Sequence, residues 1–413
     1  MSKTKSIALL SAGHACVDVH QGAVAALVPF FVAERGYGYA AASGIVLAAS
    51  ALSSVAQPLF GALTDRWAMP WLLPVATLLA GTGIGLCGVS GSYTATLAFA
   101  ALSGLGVAAY HPEAARVARL AAARGGHRAM AWFSLGGNVG FALSPPLVWT
   151  VASLGGLRMS PLLALPALVG CALCLPALRA VRSAGGAAGP VAGGESGDDV
   201  GSFVRLSLAV VCRSVVFVGL SAFVALFAQQ RTGGGAAAGT AALFVLYLGG
   251  AVGTVLGGRL ADRWDRVTVC RWSYLATAAA VAGIVTVPGP ALYGFVALAS
   301  MGLYVPFSLQ VTLGQDFLPS RVGTASGITL GLTVSVGGLA GPLVGGLADA
   351  TSLRTALAPL ALLPLLAWLL VRTLREPAAP RAAADTGPAP GAGAPGEAAG
   401  SGRAGSGPSA TGP

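Results

Sequence analysis

A seven-residue segment of this chain occurs twice, and its two copies lie 197 positions apart. The first copy is Gly-Ala-Leu-Thr-Asp-Arg-Trp at 61–67, and the second is Gly-Arg-Leu-Ala-Asp-Arg-Trp at 258–264. The same offset carries Pro145 onto Pro342, so the register holds over a long stretch. The sequence therefore predicts two similar halves, and a duplicated membrane bundle usually binds its ligand between the halves.

Long apolar stretches account for most of the chain. Hydrophobic residues make up 55% of the sequence, charged residues make up 9%, and the mean hydropathy is +0.77. A helix needs roughly 20 apolar residues to cross a bilayer. We predict an all-α membrane protein with twelve transmembrane helices in two pseudo-symmetric six-helix bundles. The predicted spans are 7–33, 41–63, 71–90, 93–113, 129–152, 159–180, 205–230, 238–260, 267–287, 290–316, 325–346 and 355–374.

Composition also divides the chain into four segments. Residues 1–182 are predicted to form the N-terminal six-helix half and residues 205–376 the C-terminal half. The stretch 183–204 is rich in Gly and Ala and is predicted to be a cytoplasmic linker. Residues 377–413 contain mainly Ala, Gly, Pro and Ser, a composition that is typical of a disordered tail.

The net charge of +10 has a topological explanation. With both termini inside, 19 of the 24 basic residues fall on the inner side, and Arg213 lies within a span. The outer side has four, which are Arg35, Arg158, Arg231 and Arg354. This bias orients helices during insertion. We therefore predict a multi-pass protein of the cell membrane with cytoplasmic termini, and no nucleic-acid partner.

The sequence lacks the motifs of a membrane enzyme. It contains no HExxH, no Cys-His ligand set and no nucleotide-binding loop. The six cysteines lie in or beside apolar spans, and Cys171 and Cys174 have no histidine or acid near them in sequence. We expect no enzymatic activity, no metal, no cofactor and no disulfide.

The first span carries a polar face made of His14, Asp18 and Gln21. At about 100 degrees per residue these side chains fall on one side of the helix. Ionisable groups at membrane depth are costly and usually line an aqueous path or pair with each other. Asp18, assisted by His14, is the first candidate for a proton carrier. The alternative is an Asp18–His14 pair that only fixes helix packing.

The fourth span ends in His111-Pro112-Glu113, followed by Arg116. Pro112 removes a backbone donor and loosens the helix, so a bend there would move His111. His111 and Glu113 are further candidates for proton coupling. The spacing of Glu113 and Arg116 also suits an ion pair on the helix surface, which is the alternative role for Glu113.

Arg213 is the basic residue placed within a span. A guanidinium binds a phosphonate or carboxylate through two hydrogen bonds, so Arg213 is a candidate for the substrate cavity. Its alternative is snorkelling to the inner interface. The equivalent position in the first half is Cys16, so the charge is not shared by the repeats. The other predicted cavity residues are Gln21, Asn138 and Gln315.

The repeated loops are candidates for gating. Glycine permits close helix approach, and an acid near the N-terminus of a facing helix interacts favourably with its dipole, so such contacts can stabilise one conformation. The alternative is a turn that serves topology alone. The predicted gating residues are Gly61, Asp65, Arg66, Gly258, Asp262, Arg263 and Asp316.

These motifs resemble those of the major facilitator superfamily, and within it the fosmidomycin-resistance family of exporters. The resemblance covers residues 7–374. Its motifs are Gln57-Pro58, Gly106, Tyr110-His111-Pro112-Glu113, Ser134, Asn138 and Gly140 in the first half, and Gly314-Gln315-Asp316, Pro319, Gly323 and Gly327 in the second. One departure is Ser144, where the family pattern has glycine.

The resemblance implies a proton-coupled antiporter that exports small drug-like molecules, such as fosmidomycin or similar phosphonates, by alternating access. An alternative within transport is movement of an endogenous metabolite such as an organic anion or sugar, because one fold serves many substrates. A sensor or scaffold would bind without flux. The predicted partners are a small-molecule substrate, protons and the lipid bilayer, and we expect a monomer.

Overall fold

A computed structural model describes residues 3–122, 126–182 and 197–377 of the protein. These residues form an all-helical bundle, and the described part contains no strand. The predicted all-α membrane fold is confirmed, and the order of the helices is compatible with twelve spans. Among the described residues, nine segments are long and apolar enough to cross a membrane, and Leu72–Cys87 and Val336–Ala350 are shorter apolar helices.

The first half contains six helices. Helix α6 is preceded by a 3-10 helix at Gly156–Ala164. The helices are α1 Lys3–Arg35, α2 Tyr39–Arg66, α3 Leu72–Cys87, α4 Tyr93–Ala122, α5 Gly126–Ser153 and α6 Leu165–Arg182.

The second half repeats this order with a broken final span. The helices are α7 Val200–Thr232, α8 Gly235–Ala261, α9 Arg266–Thr286, α10 Ala291–Phe317, α11 Val322–Ala350, α12 Leu353–Leu357 and α13 Leu362–Val371. A 3-10 helix at Ala358–Ala361 separates α12 from α13. The segment 353–361 lies 197 positions after the 3-10 helix 156–164. The repeat read from the sequence therefore extends to the irregular start of the sixth span in each half.

The linker ends earlier than predicted, because α7 begins at Val200 and not at residue 205. Asp199 caps this helix through a hydrogen bond from the Ser202 amide to its Oδ1 at 2.9 Å. The neighbouring Asp198 accepts from the amide and the hydroxyl of Ser320, which lower the pKa of the Asp198 carboxyl. These hydrogen bonds fix the start of α7 beside the end of α10. Residues 183–196 of the predicted linker and 378–413 of the predicted tail lie outside the described residues.

The two halves meet along two helix pairs. Helix α2 packs on α11, and α5 packs on α8. Glycine permits close approach on α11, where a Cβ at Gly345 would lie 2.7 Å from the Tyr39 carbonyl oxygen and 2.8 Å from Ala40. Such contact between small residues is a usual basis of helix association in membranes.

The carboxylate of Asp349 joins the two halves at the end of the bundle that is predicted to face outward. Helix α2 begins after Gly38, which has no side chain to cap the free amides of the first turn. The cap comes from Asp349 on α11, whose Oδ1 and Oδ2 accept from the amides of Tyr39 at 2.7 Å and Ala40 at 2.9 Å. Gln230 donates to the Tyr39 hydroxyl at 3.0 Å. We call the contact of Asp349 with the first turn of α2 the outer latch.

The C-terminal ends of α2 and α8, on the opposite side of the bundle, are loosely packed. A Cβ added to Gly61 or Gly258 would meet no atom of another element within 4 Å. The side chains of Arg66, Asp262 and Arg263 are exposed. In this conformation the halves are held together at the predicted outer end, and the repeated loops have room around them.

Candidate functional site

Three polar side chains converge inside the first half. His14 and Asp18 lie one turn apart on α1, and His111 comes from α4. His14 Nε2 is 3.3 Å from Asp18 Oδ2, and His111 Nε2 is 3.3 Å from Asp18 Oδ1. We call these residues the His–Asp–His cluster. The structure thus brings together three of the four predicted proton-coupling residues.

Backbone carbonyls determine which nitrogen of each imidazole carries a proton. His14 Nδ1 lies 2.9 Å from the Phe133 carbonyl oxygen, and His111 Nδ1 lies 2.8 Å from that of Val107. A carbonyl oxygen only accepts, so each Nδ1 must donate. Each Nε2 therefore faces a carboxylate oxygen of Asp18 either with a lone pair, which is repulsive, or with a second proton, which is attractive. The geometry favours proton uptake at Nε2.

The cluster is enclosed, but one member reaches open space. His14 is 7% exposed and Asp18 is 4% exposed, whereas the His111 side chain is 25% exposed. On α5, Gly137 makes room for the carboxylate, since a Cβ there would lie 2.5 Å from Asp18 Oδ2. The ring of Phe133 stacks on His14 with centroids 4.3 Å apart. His111 is therefore the most exposed member of the cluster.

The spacing of the cluster also resembles that of a ligand set for a metal. One donor atom from each residue lies within 4.8 Å of the others. Each Nε2, however, already has a carboxylate oxygen as the acceptor for a proton. The same geometry suits a proton shared between an imidazole and the carboxylate.

Glu113 has a separate position. It is fully buried, and its carboxylate accepts from Arg116 Nε at 2.8 Å and from Arg116 Nη2 on the same helix. This is the ion pair that the sequence offered as the alternative role. A buried carboxylate with such a partner stabilises the fold mainly by avoiding an uncompensated charge.

Replacing Arg116 by alanine is expected to destabilise the protein by about 3 kcal/mol, because it leaves the Glu113 carboxylate buried alone. The double replacement Glu113→Gln with Arg116→Gln should recover most of that loss. The thermal unfolding midpoint in detergent micelles measures both variants. Equal destabilisation by the single and double changes would contradict a structural ion pair.

Arg213 lies inside the second half, on α7. It is 2% exposed, and its guanidinium carbon is 5.1 Å from the centroid of the Phe307 ring on α10. A cation over an aromatic face is a favourable arrangement. Nearby, Gln310 donates to the Tyr274 hydroxyl at 2.6 Å. The side chain thus packs within its own half instead of extending to the predicted inner interface.

The remaining predicted site residues are dispersed. Gln21, Asn138 and Gln315 are half-buried on α1, α5 and α10. Asp316 binds Arg266 at 2.7 Å, and Arg266 also binds Glu376, so Asp316 belongs to an ion-pair network at the predicted inner surface. The side chain of Asp65 lies outside the described residues.

Sequence reasoning missed the parts of the site that are not titratable. The carbonyl acceptors of Phe133 and Val107 fix the two imidazoles but leave no trace in a sequence. Gly137 was visible as part of a Gly-Gly pair, which is a possible signal of close approach. Ser144, the departure from the family pattern, is buried and packs opposite Gly22 on α1.

Comparison with known proteins decides the family. The model of the Major Facilitator Superfamily matches residues 10–342, which is most of the chain. The chain belongs to the major facilitator superfamily. It is accordingly a multi-pass membrane transporter of a small molecule, and members of this superfamily are not enzymes.

Two relatives within the superfamily match nearly the whole chain. The Fosmidomycin resistance protein of Escherichia coli (strain K12) is 28% identical over 378 residues, which cover 88% of this chain and 91% of the relative. The uncharacterized MFS-type transporter YfnC of Bacillus subtilis (strain 168) is 27% identical over 368 residues, which cover 86% and 89%.

Solved structures of the superfamily share the fold. A bacterial homolog of the human lysosomal transporter Spinster, in an inward-facing and unoccupied conformation, has a TM-score of 0.71 at 15% identity and covers 90% of this chain and 97% of its own. The human organic anion transporter MFSD10 has a TM-score of 0.63 at 17% identity, with 90% and 100% covered.

Proposed function

We propose that this transporter is a proton-coupled antiporter that exports small organic anions, with fosmidomycin and similar phosphonates as the first candidates. The His–Asp–His cluster is the observation that carries the proposal. It places one carboxylate between two imidazoles whose tautomers are fixed by the backbone, deep inside a membrane bundle. The name of the Escherichia coli relative supports the substrate class.

Alternating access links the cluster to the substrate in this proposal. Protonation converts an anionic cluster into a neutral or cationic one and so changes the cost of enclosing it in the closed protein. Protons and substrate occupy the protein at different stages of the cycle. The protein therefore exchanges protons for substrate across the membrane. The positive charge of Arg213, fixed inside the second half, attracts the anion.

The topology that we propose from the basic residues determines the direction of transport. Both termini face the cytoplasm of the cell, and the protein works as a monomer in the cell membrane. The outer latch then closes the outer side, so the described conformation is the one that receives substrate from the cytoplasm.

Proton movement in sealed vesicles tests the function. The purified protein is placed in liposomes that contain a pH-sensitive dye, and fosmidomycin is added outside while a pH gradient is maintained. Antiport is expected to dissipate the pH gradient faster than in protein-free liposomes. A metal chelator should leave the rate of dissipation unchanged. A panel of phosphonates, carboxylates and sugars that never changes the gradient would rule out coupled transport of these classes.

A further inference from the structure

A row of aromatic rings runs from the interface of the halves to Arg213. Neighbouring ring centroids in the row are 5.2 to 6.3 Å apart. Its members in order are Phe141, Tyr247, Phe217, Tyr304 and Phe307, and the guanidinium of Arg213 lies over the last ring. We call these five rings the aromatic row.

The row begins beside the His–Asp–His cluster. Phe141 lies one turn from Gly137, the residue that makes room for Asp18, and its ring contacts Tyr247 of the other half. At the other end of the row, Tyr304 neighbours Phe307, whose ring lies under the Arg213 guanidinium. The row therefore lies between the titratable cluster and the fixed cation.

Most residues of the row are only partly buried. Phe141, Phe217, Tyr304 and Phe307 are half-buried, whereas Tyr247 is 5% exposed. The rings come from α5 in the first half and from α7, α8 and α10 in the second half, and α5 packs on α8 across the interface. The row therefore joins the interface of the halves to the Arg213 guanidinium through residues of both halves.

The repeat shows that the two halves differ here. The positions 197 residues before Phe217, Tyr304 and Arg213 hold His20, Val107 and Cys16. Conversely, the positions 197 residues after His14, Asp18 and His111 hold Val211, Val215 and Ser308. The first half thus has the titratable groups, while the second half has most of the rings and the permanent positive charge.

We propose that the aromatic row and Arg213 form a substrate subsite that selects organic anions bearing a flat aromatic or unsaturated group. This inference rests on the proposed transport function and assigns its substrate class. A flat group gains from stacking or edge-to-face contact with the rings. The anionic head group gains from the guanidinium, which holds a full charge in any protonation state of the cluster.

Three probes separate the parts of this inference. Phenylphosphonate has both a flat ring and an anionic head, cyclohexylphosphonate has the head without a flat face, and benzylamine has the ring with the opposite charge. Isothermal titration of the purified wild-type protein is expected to show phenylphosphonate binding up to about tenfold more tightly than cyclohexylphosphonate, given the typical gain from aromatic pairs. Benzylamine should not bind.

Variants test which residues cause the preference for phenylphosphonate over cyclohexylphosphonate. Phe217→Leu and Tyr304→Leu should bring the two phosphonates to within about twofold of each other, while Tyr304→Phe keeps the ring and should keep the preference. Arg213→Gln should weaken both phosphonates by a similar factor. Trp272→Leu changes an exposed aromatic residue outside the row and is the matched control.

Equal binding of the two phosphonates to wild type, or a preference that survives both leucine variants, would overturn the subsite. The vesicle assay distinguishes this from failure of the proposed function. Proton movement driven by fosmidomycin together with no ring preference rejects only the subsite. A ring preference that the leucine variants remove, without proton movement for any probe, supports the subsite and rejects coupling.

Discussion

Replacing Asp18 by asparagine is expected to reduce substrate-driven proton movement to the background of protein-free vesicles. Asparagine has nearly the same shape but no charge, so the Nε2 protons of His14 and His111 lose the anion that attracts them. Without that anion, protonation of either imidazole in the low-dielectric interior is unfavourable. Dye-loaded liposomes with wild-type and variant protein at equal density measure the effect.

Two controls make this result specific to coupling. His20→Gln alters another buried titratable residue on α1, whose Nε2 lies 3.0 Å from the Leu163 carbonyl oxygen, and should keep proton movement. Binding of a phosphonate to Asp18→Asn should persist, because the proposed anion contact lies in the other half. Wild-type proton movement in Asp18→Asn would remove the cluster from the mechanism.

Replacing Asp349 by alanine is expected to shift the transporter toward a conformation that is open at the predicted outer end. The change removes two hydrogen bonds from backbone amides to a charged acceptor. Hydrogen bonds to charged groups contribute about 1.5–3 kcal/mol each, so a shift of at least about tenfold is expected even after water takes over part of the role. Asp349→Asn retains one acceptor oxygen and should show a smaller shift.

Spin labels at the predicted outer ends of the two halves measure this equilibrium. Cysteines at Ser92 and Ala291, both exposed, carry the labels in a protein whose native cysteines are replaced. Double electron–electron resonance should show a longer distance gaining population in Asp349→Ala. Ser352→Ala is the matched control, because Ser352 caps the Thr355 amide within its own half. An unchanged distance distribution in Asp349→Ala would mean that the latch does not hold the outer side closed.

The architecture was predictable from sequence because its determinants are local or repeated. Apolar length gives the spans, the distribution of basic residues gives a topology, and the 197-residue offset gives the two halves. The same offset would have predicted a broken start for the twelfth span once the sixth was known to begin with a 3-10 helix at 156–164.

The site was predictable only in part. The spacing of His14 and Asp18 placed them on one face of a helix, and the structure brings them together. The approach of His111 depends on how α4 packs against α1, which no spacing reveals. For Glu113, the sequence left coupling and ion pairing open, and the structure provides the pair with Arg116.

The outer latch was missed because its two parts are 310 and 309 residues apart in the chain. Gly38 before a helix predicts a weak cap, but nothing local indicates that the missing acceptor belongs to the other half. Asp349, at the end of an apolar span, resembles an ordinary surface acid in the sequence.

The latch also makes the first turn of α2 dependent on a residue of its opposite half. Each time the halves separate on that side, the amides of Tyr39 and Ala40 lose their acceptor, and the turn either unwinds or recruits solvent. In the proposed alternating-access cycle, this helix end is therefore held by the protein when the outer side is closed and is unwound or solvated when it is open.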